Sequence, residues 1–351
     1  MTGPPSQAAR SRGRWWIRSR SAGEPPVLGR PAAYARAGVT VVVLGANWPV
    51  RADALDSAPA LWLGALRMGG AALVAGSISA GRGSLRPPSH RDVPIVLSIG
   101  VVRFGVVTAA VFLALRFVPA GRASMLSYTS SLWTIPLATL VLGERSTATR
   151  VGGVAAGCLG IALLLEPWSL DWSDGGTLGG IGLLLLSAIS IAVTTVHVRA
   201  HRWRRSPLEL LPWQFGAAAV ALGAVAVAAE GAPRIDWTPA LWASLAYQAG
   251  MASTLGEWGS LTVTRSLSAI SANIALMMTP VVGLASSIVV TNEPLTVGVA
   301  VGGTLIIAGV AVGLVFDPAR QPFSSTVMKR STVSPTFSRS WMSGSVEDGR
   351  R

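Results

Sequence analysis

The chain has 351 residues, 50% of them hydrophobic and only 13% charged, with a mean hydropathy of +0.51. A soluble domain usually carries about 25% charged residues to keep its surface wet, so this composition argues against a soluble enzyme and for a lipid-facing chain. The net charge of +13 raises nucleic acid as a partner, and the placement of those charges has to decide it. A single cysteine, Cys158, excludes an intramolecular disulfide and a multi-cysteine zinc site. Three histidines (His90, His197 and His201) leave little for metal chemistry, so neither cofactor nor metal is expected.

A helix needs about 20 apolar residues to cross the hydrocarbon. In chain order such stretches fall at 37–54, 58–79, 93–115, 120–142, 149–166, 177–199, 208–229, 239–263, 269–290 and 296–316. Turn residues mark several boundaries, among them Pro87-Pro88, Pro119-Ala120-Gly121, Asp174-Gly175-Gly176 and Pro233. If both termini are cytoplasmic, 23 of the arginines and lysines fall on the inner side and only four (Arg51, Arg116, Arg122 and Arg234) on the outer. That is the bias a multi-pass protein shows, and it supports an even number of crossings. Topology thus accounts for the charge, and no nucleic acid is required.

Tryptophan gives an independent check. Trp168, Trp172, Trp237 and Trp242 group at the expected outer boundary, Trp203 and Trp213 at the inner one. Amphipathic rings sit at headgroup depth. Outside the spans, residues 1–36 read as a basic, disordered cytoplasmic tail attracted to anionic lipid, with an Arg14-Trp15-Trp16-Ile17-Arg18 cluster. Residues 317–351 read as a polar, serine-rich tail.

The two halves repeat. Glu144, Gly153 and Gly160 are spaced as Glu293, Gly302 and Gly309, and Ala123 stands to Ala272 as these do, all at an offset of 149. Glycine matches are cheap among 39 glycines, but a glutamate pair in register is not, with 16 acidic residues in the chain. The expected architecture is an all-α integral membrane protein of ten transmembrane helices, arranged as two five-helix repeats at 37–166 and 177–316 joined by an outer loop at 167–176. Five is odd, so the second copy enters the membrane from the opposite side. Such inverted repeats enclose a cavity between the halves, and rocking them exposes it to each side in turn.

The chain resembles the ten-helix EamA branch of the drug/metabolite transporter superfamily. In the first half the likeness rests on Gly45-Ala46-Asn47-Trp48-Pro49-Val50, Leu66-Arg67, and Gly121-Arg122-Ala123-Ser124 leading to Leu142-Gly143-Glu144-Arg145. In the second it rests on Pro280, Asn292-Glu293-Pro294-Leu295 and the glycine-rich run from Gly302 to Gly313. It departs where the family has a proline in the fourth helix and this chain has Ser131; Pro136 is expected to supply a kink there instead. The resemblance implies small-molecule transport, often export of metabolites or drugs, in a bacterial-type inner membrane.

Ionisable groups inside a span cost about 2.5–3.5 kcal/mol each on insertion scales, so each needs a reason. Arg67 in the second span is expected to hold an anionic group of the substrate, or to be satisfied by carbonyls as a structural arginine. Arg103 in the third is expected to be a structural or gating partner. Glu257 in the eighth is the candidate proton carrier, since a poorly hydrated carboxyl binds protons more readily; its plainer role is a fixed partner for Arg67 or Arg103. Pro49 should disrupt the first helix and free carbonyls toward the cavity. Asn47, Trp48, Tyr128, Gln214, Gln248, Trp258 and Asn273 would complete a small-molecule site of hydrogen-bonding groups and aromatic walls. Glu144 and Glu293 are expected to act as helix caps or gate ion pairs. Gly153-x-x-x-Gly157 and Gly309-x-x-x-Gly313 are close-packing patterns, serving contacts within the chain or between two copies in a homodimer.

The leading function is therefore a secondary transporter, an exporter by resemblance, and no Walker-type phosphate loop is present to bring in ATP. An integral-membrane enzyme would need a cluster of His, Asp or Cys near one face, which the sequence lacks. A purely structural or regulatory membrane protein would not need the duplicated cavity.

Overall fold

The computed structural model describes residues 28–315 apart from 143–147, 166–173, 201–204, 268–271, 273–274, 277 and 293. The described residues are helical in ten units. They are α1 (Arg30–Ala54), α2 (Ala60–Gly81), α3 (Val93–Ala114), α4 in two pieces (Ala120–Ser127 and Ser130–Leu142) and α5 (Ala148–Leu165). The second half supplies α6 (Gly175–Ala200), α7 (Pro207–Glu230), α8 from the continuous stretches Pro239–Ala246, Tyr247–Leu255 and Gly256–Ser266, α9 (Thr279–Thr291) and α10 (Val297–Val315).

These helices do not bury their apolar surface as a soluble bundle would. Four segments are long and apolar enough to cross a bilayer (Ala60–Gly81, Val93–Ala114, Gly175–Val198 and Pro207–Glu230), and at most 50% of any of them is buried in protein. Val151–Leu163, Thr279–Thr291 and Val297–Gly309 are shorter apolar helices. Leu73, Leu140, Val220, Val289 and Val297 are each at least 74% exposed. In water those faces would carry an unmet hydrophobic cost; against lipid they carry none. The fold is that of an all-α integral membrane protein.

Three sequence expectations are corrected locally. The first helix starts at Arg30 rather than at 37. It also runs unbroken through Pro49 to Ala54, so the proline does not disrupt it. Pro49 has no N–H to give the Gly45 carbonyl one turn back, and the Ser286 hydroxyl of α9 approaches that carbonyl at 3.5 Å. The freed acceptor therefore faces a neighbouring helix. The fourth span breaks at Tyr128–Thr129, where the Thr129 hydroxyl donates to the Leu126 carbonyl at 2.6 Å, and the helix continues through Pro136. A threonine that captures a nearby carbonyl competes with the helical ladder. Asp174, expected as turn punctuation, caps α6: its carboxylate accepts from the backbone N–H of Gly176 and Thr177 and from the Thr177 hydroxyl. Those donors hold the Asp174 carboxyl below its ordinary range.

The duplication governs the packing. Helices α1 and α9 pack as α6 and α4 do, α3 and α6 as α8 and α1 do, and α3 and α7 as α8 and α2 do. Each pair becomes the other when the halves are exchanged. The pairs α2–α7, α4–α9 and α5–α10 map onto themselves, as contacts on a two-fold axis must. The α5–α10 crossing shows the symmetry atom by atom. A Cβ added at Gly160 would lie 2.7 Å from the Gly302 carbonyl oxygen, and one added at Gly309 would lie 2.5 Å from the Gly153 carbonyl oxygen. The offset of 149 turns the first contact into the second. Among the expected close-packing glycines, Gly153, Gly157 and Gly309 all stand at this crossing.

The halves also share an irregularity that the sequence did not announce. In α3 the stretch Ser98–Val106 is a π-helix, and in α8 so is Tyr247–Leu255. Both ends of the two stretches are 149 residues apart. Wide turns of this kind are rare and collect at functional sites.

A side chain at the α5–α10 crossing has nowhere to go. Gly160→Val and its mate Gly309→Val should each destabilise the bundle by about 1–3 kcal/mol, seen as a lower thermal unfolding midpoint in detergent. Gly152→Val, where a Cβ meets nothing within 4 Å, should leave the midpoint unchanged.

Candidate functional site

Helices α1, α2, α3, α4 and α8 bring charged and polar side chains to a common interior position. Arg67 of α2 is 7% exposed, and its Nε donates to the Ser253 hydroxyl in the π-helical part of α8 at 3.1 Å. It lies close enough to Arg51 and to Glu257 to feel both charges. Tyr128, at the break in α4, lies beside the Thr279 side chain and interacts electrostatically with Arg51, Arg103 and Glu257. Arg67 is thus within electrostatic range of Arg51 and Glu257, and Tyr128 within range of Arg51, Glu257 and Arg103.

Asn47 and Trp48 orient one of those arginines. With its amide oxygen turned inward, the assignment that satisfies both partners, Asn47 accepts from Arg51 Nε at 2.8 Å and Nη2 at 2.9 Å. The Arg51 guanidinium also lies 5.0 Å from the Trp48 ring centre, within cation–π range. Trp48 itself is buried with Met125, Leu126 and Leu284. Pro49 and the helix around it place Asn47 one turn before Arg51, on the same face.

Arg51 was assigned to an outer loop by the sequence and belongs to this cluster instead. Its charge at the end of an apolar stretch read as a boundary. The signal that could have found it is the i, i+4 relation to Asn47 inside a helix that does not stop at the proline.

The remaining candidates are scattered. Gln248 is fully buried; its Nε2 donates to the Ser244 hydroxyl at 2.9 Å, while its Oε1 has no partner. Gln214 on α7 is buried with its Nε2 unpartnered, and its backbone carbonyl lies against Gly100 of α3. Trp258 is not part of the central cluster. It carries the Arg36 guanidinium 4.0 Å from its ring centre and lines a separate cleft. Glu257 lies within electrostatic range of Arg67, with no direct ion pair to Arg67 or Arg103 among the described residues. Asn273, Glu144 and Glu293 lie outside the described residues.

The two ends of the bundle differ. At one end Glu230 of α7 accepts from the backbone N–H groups of Leu61 and Trp62, the first turn of α2, at 3.1–3.2 Å. The Trp62 indole donates to the Gly231 carbonyl, and the Asp236 N–H donates to the Ser57 carbonyl. These bonds tie the α1–α2 connection to the α7–α8 connection. Toward the other end, α2, α7 and α8 part around a cleft of about 80 Å³ lined by Ser79, Arg82, Glu209, Thr254 and Trp258. Thr254 and Trp258 directly follow Ser253 and Glu257, so α8 turns adjacent residues to the cluster and to the cleft.

The profile of the EamA-like transporter family matches residues 35–166 and again 178–315. The chain belongs to the EamA-like transporter family. Both matches coincide with the halves seen in the packing. The chain is 30% identical over 289 residues to an Escherichia coli (strain K12) protein named “Probable amino-acid metabolite efflux pump”, covering 79% of this chain and 92% of that one. A Salmonella typhimurium protein of the same name is 31% identical over 292 residues, with the same coverage. A solved crystal structure aligns with 82% of this chain and 98% of its own at a TM-score of 0.59 and 19% identity, which speaks for the fold alone. The EamA-like chain is a membrane transporter by family.

Glu230 satisfies orphan N–H groups at a helix start and places a negative charge at its positive end. Glu230→Ala should cost about 1–2 kcal/mol of stability, and it should raise the labelling rate of a cysteine placed at Ser57. An unchanged rate would mean that the tie does not hold this end shut.

Proposed function

We propose that this EamA-like protein is a secondary transporter that exports a small carboxylate-bearing metabolite by alternating access between its two halves. The observation that carries the proposal is the charged cluster of Arg51, Arg67, Arg103, Glu257 and Tyr128 at the meeting place of two exchangeable five-helix units. Charges buried in a membrane protein are retained where they handle substrates or ions. Arg67 and Arg51 would bind the anionic group through their forked donors. Asn47 and Trp48 would hold Arg51 in place, and Tyr128 would contribute a hydroxyl.

Several features support the direction of movement and the setting. The names of the Escherichia coli and Salmonella typhimurium relatives speak of amino-acid metabolite efflux. The arginine distribution favours ten crossings with both termini in the cytoplasm. In that orientation the tied end at Glu230 faces outward and the cleft at Arg82 faces the cytoplasm, the arrangement of an exporter awaiting its cargo. A bacterial inner membrane is the setting in which that orientation has meaning.

Glu257 would carry the driving ion. Its carboxyl lies within electrostatic range of Arg67, and protonation would remove the negative charge that moderates the arginines. Protonation would then tighten the arginines' hold on an anionic cargo and deprotonation would loosen it, so the two bindings would be coupled at this site.

The test uses purified protein in liposomes with radiolabelled amino acids and organic acids, with and without an imposed pH gradient. Glu257→Gln should abolish the stimulation by the gradient while the protein remains inserted. Full stimulation in the variant would remove the proton-carrier role. Arg67→Ala should reduce uptake of carboxylates at least tenfold while sparing cationic dyes; equal loss of both would make Arg67 structural.

A further inference from the structure

The charges in the central cluster do not balance. Arg51, Arg67 and Arg103 bring three guanidinium groups, and the carboxylate set against Arg67 and Tyr128 is Glu257. No ion pair joins Glu257 to any of the three among the described residues. The neutral groups present orient the arginines without cancelling charge. Asn47 takes two donors of Arg51, and Ser253 takes one of Arg67. Removing a guanidinium from water is repaid only by a counter-charge or a full set of acceptors. Here three cations, with Arg103 placed among them by its interaction with Tyr128, have one carboxylate near them.

We propose that the site is built for a cargo with two negative charges, a compact molecule bearing two carboxylates, and that Arg51, Arg67 and Arg103 together set this preference. The inference rests on the transport reading above and sharpens its substrate class. The surplus over Glu257 is two positive charges, so a dianion brings the cluster to neutrality. A monocarboxylate leaves one charge unmet, and a zwitterion leaves both. The three arginines come from three different helices, α1, α2 and α3, so two carboxylates of one molecule can each meet a separate fork. Arg51 is pre-set by Asn47 and Trp48, and Arg67 by Ser253, which lowers the ordering cost of binding. Arg103 has no such support among the described residues, and it is the arm expected to move onto the second carboxylate. It projects from the π-helical stretch of α3, where the helix is widened.

A phosphate monoester is also a dianion and shares this chemistry, but it concentrates both charges on one group. Three arginines on three helices favour two separated anionic groups, and the probes distinguish the two cases.

The experiment uses the full chain, first in detergent and then in liposomes. Thermal stabilisation is measured with succinate, glycerol phosphate, lactate and leucine, each over a concentration series. Succinate should stabilise the protein at least tenfold more potently than lactate or leucine, and more potently than glycerol phosphate. Equal potency of lactate and succinate would overturn the proposal, and so would a lack of response to every probe. The uptake assay separates this inference from the transport reading. Leucine taken up as well as succinate would leave transport standing and sink the dianion preference. Stabilisation by succinate without uptake of any probe would keep the site and sink transport. Arg103→Gln should lower succinate potency toward that of lactate while lowering lactate's own potency much less. Arg103→Lys, which keeps the charge, should restore most of the preference. A fall for both probes alike in Arg103→Gln would make the residue structural.

Discussion

Helices in lipid gain nothing by hiding apolar faces from one another, because the solvent around them is as apolar as leucine. What holds them together is close approach of surfaces that fit. In this protein that constraint is met most tightly at the α5–α10 crossing, where glycine Cα atoms stand against carbonyl oxygens of the facing helix. The same device recurs where Gly45 meets Val282 and Gly283, and where Gly100 meets Gln214. Small residues at these points bring α1 onto α9 and α3 onto α7, and so bring the two halves onto each other. The interior position of the arginines follows, since α1, α2 and α3 can converge only if their partners let them in.

The central cluster and the cleft lie on different sides of α8. Ser253 and Glu257 face inward to Arg67's neighbourhood, while Thr254, Leu255 and Trp258 line the cleft. A rotation of this helix about its own axis would trade one set for the other without breaking its backbone ladder. Arg36, stacked on Trp258, ties the start of α1 to the same face. Through α1 the contact reaches Asn47 and Arg51, so the condition of the cleft and the posture of Arg51 share one rigid element.

Much of this was legible in the sequence because it rests on periodicity and duplication. The apolar stretches, the punctuation between them and the 149-residue offset are one-dimensional patterns, and they matched the helices to within a few residues at most ends. Arg67, Asn47 and Trp48 could be singled out because a charge, an amide or an indole in an apolar run stands out. Arg51 could not, since a charge at the end of a run looks like a loop residue. Trp258 shows why sequence neighbours need not share a space. It shares a helix with Glu257, but adjacent residues on a helix point about 100° apart, and an indole one step along faces a different space. The break at Tyr128 was hidden because proline, a few residues on, is the louder breaker, whereas a threonine hydroxyl closing on Leu126 leaves no compositional mark. The π-helical stretches are invisible for the same reason.

Those stretches carry a mechanical meaning. A π turn holds one residue more than an α turn over nearly the same rise, so each of α3 and α8 stores a surplus residue near its midpoint. Tightening the turn would release that residue and twist the far part of the helix relative to the near part, with every N–H still bonded. Loosening elsewhere could absorb it again. Because the two stores sit at equivalent places in the twin units, slack given up by one can be taken up by the other, and the bundle can change its shape while its total helical winding stays constant.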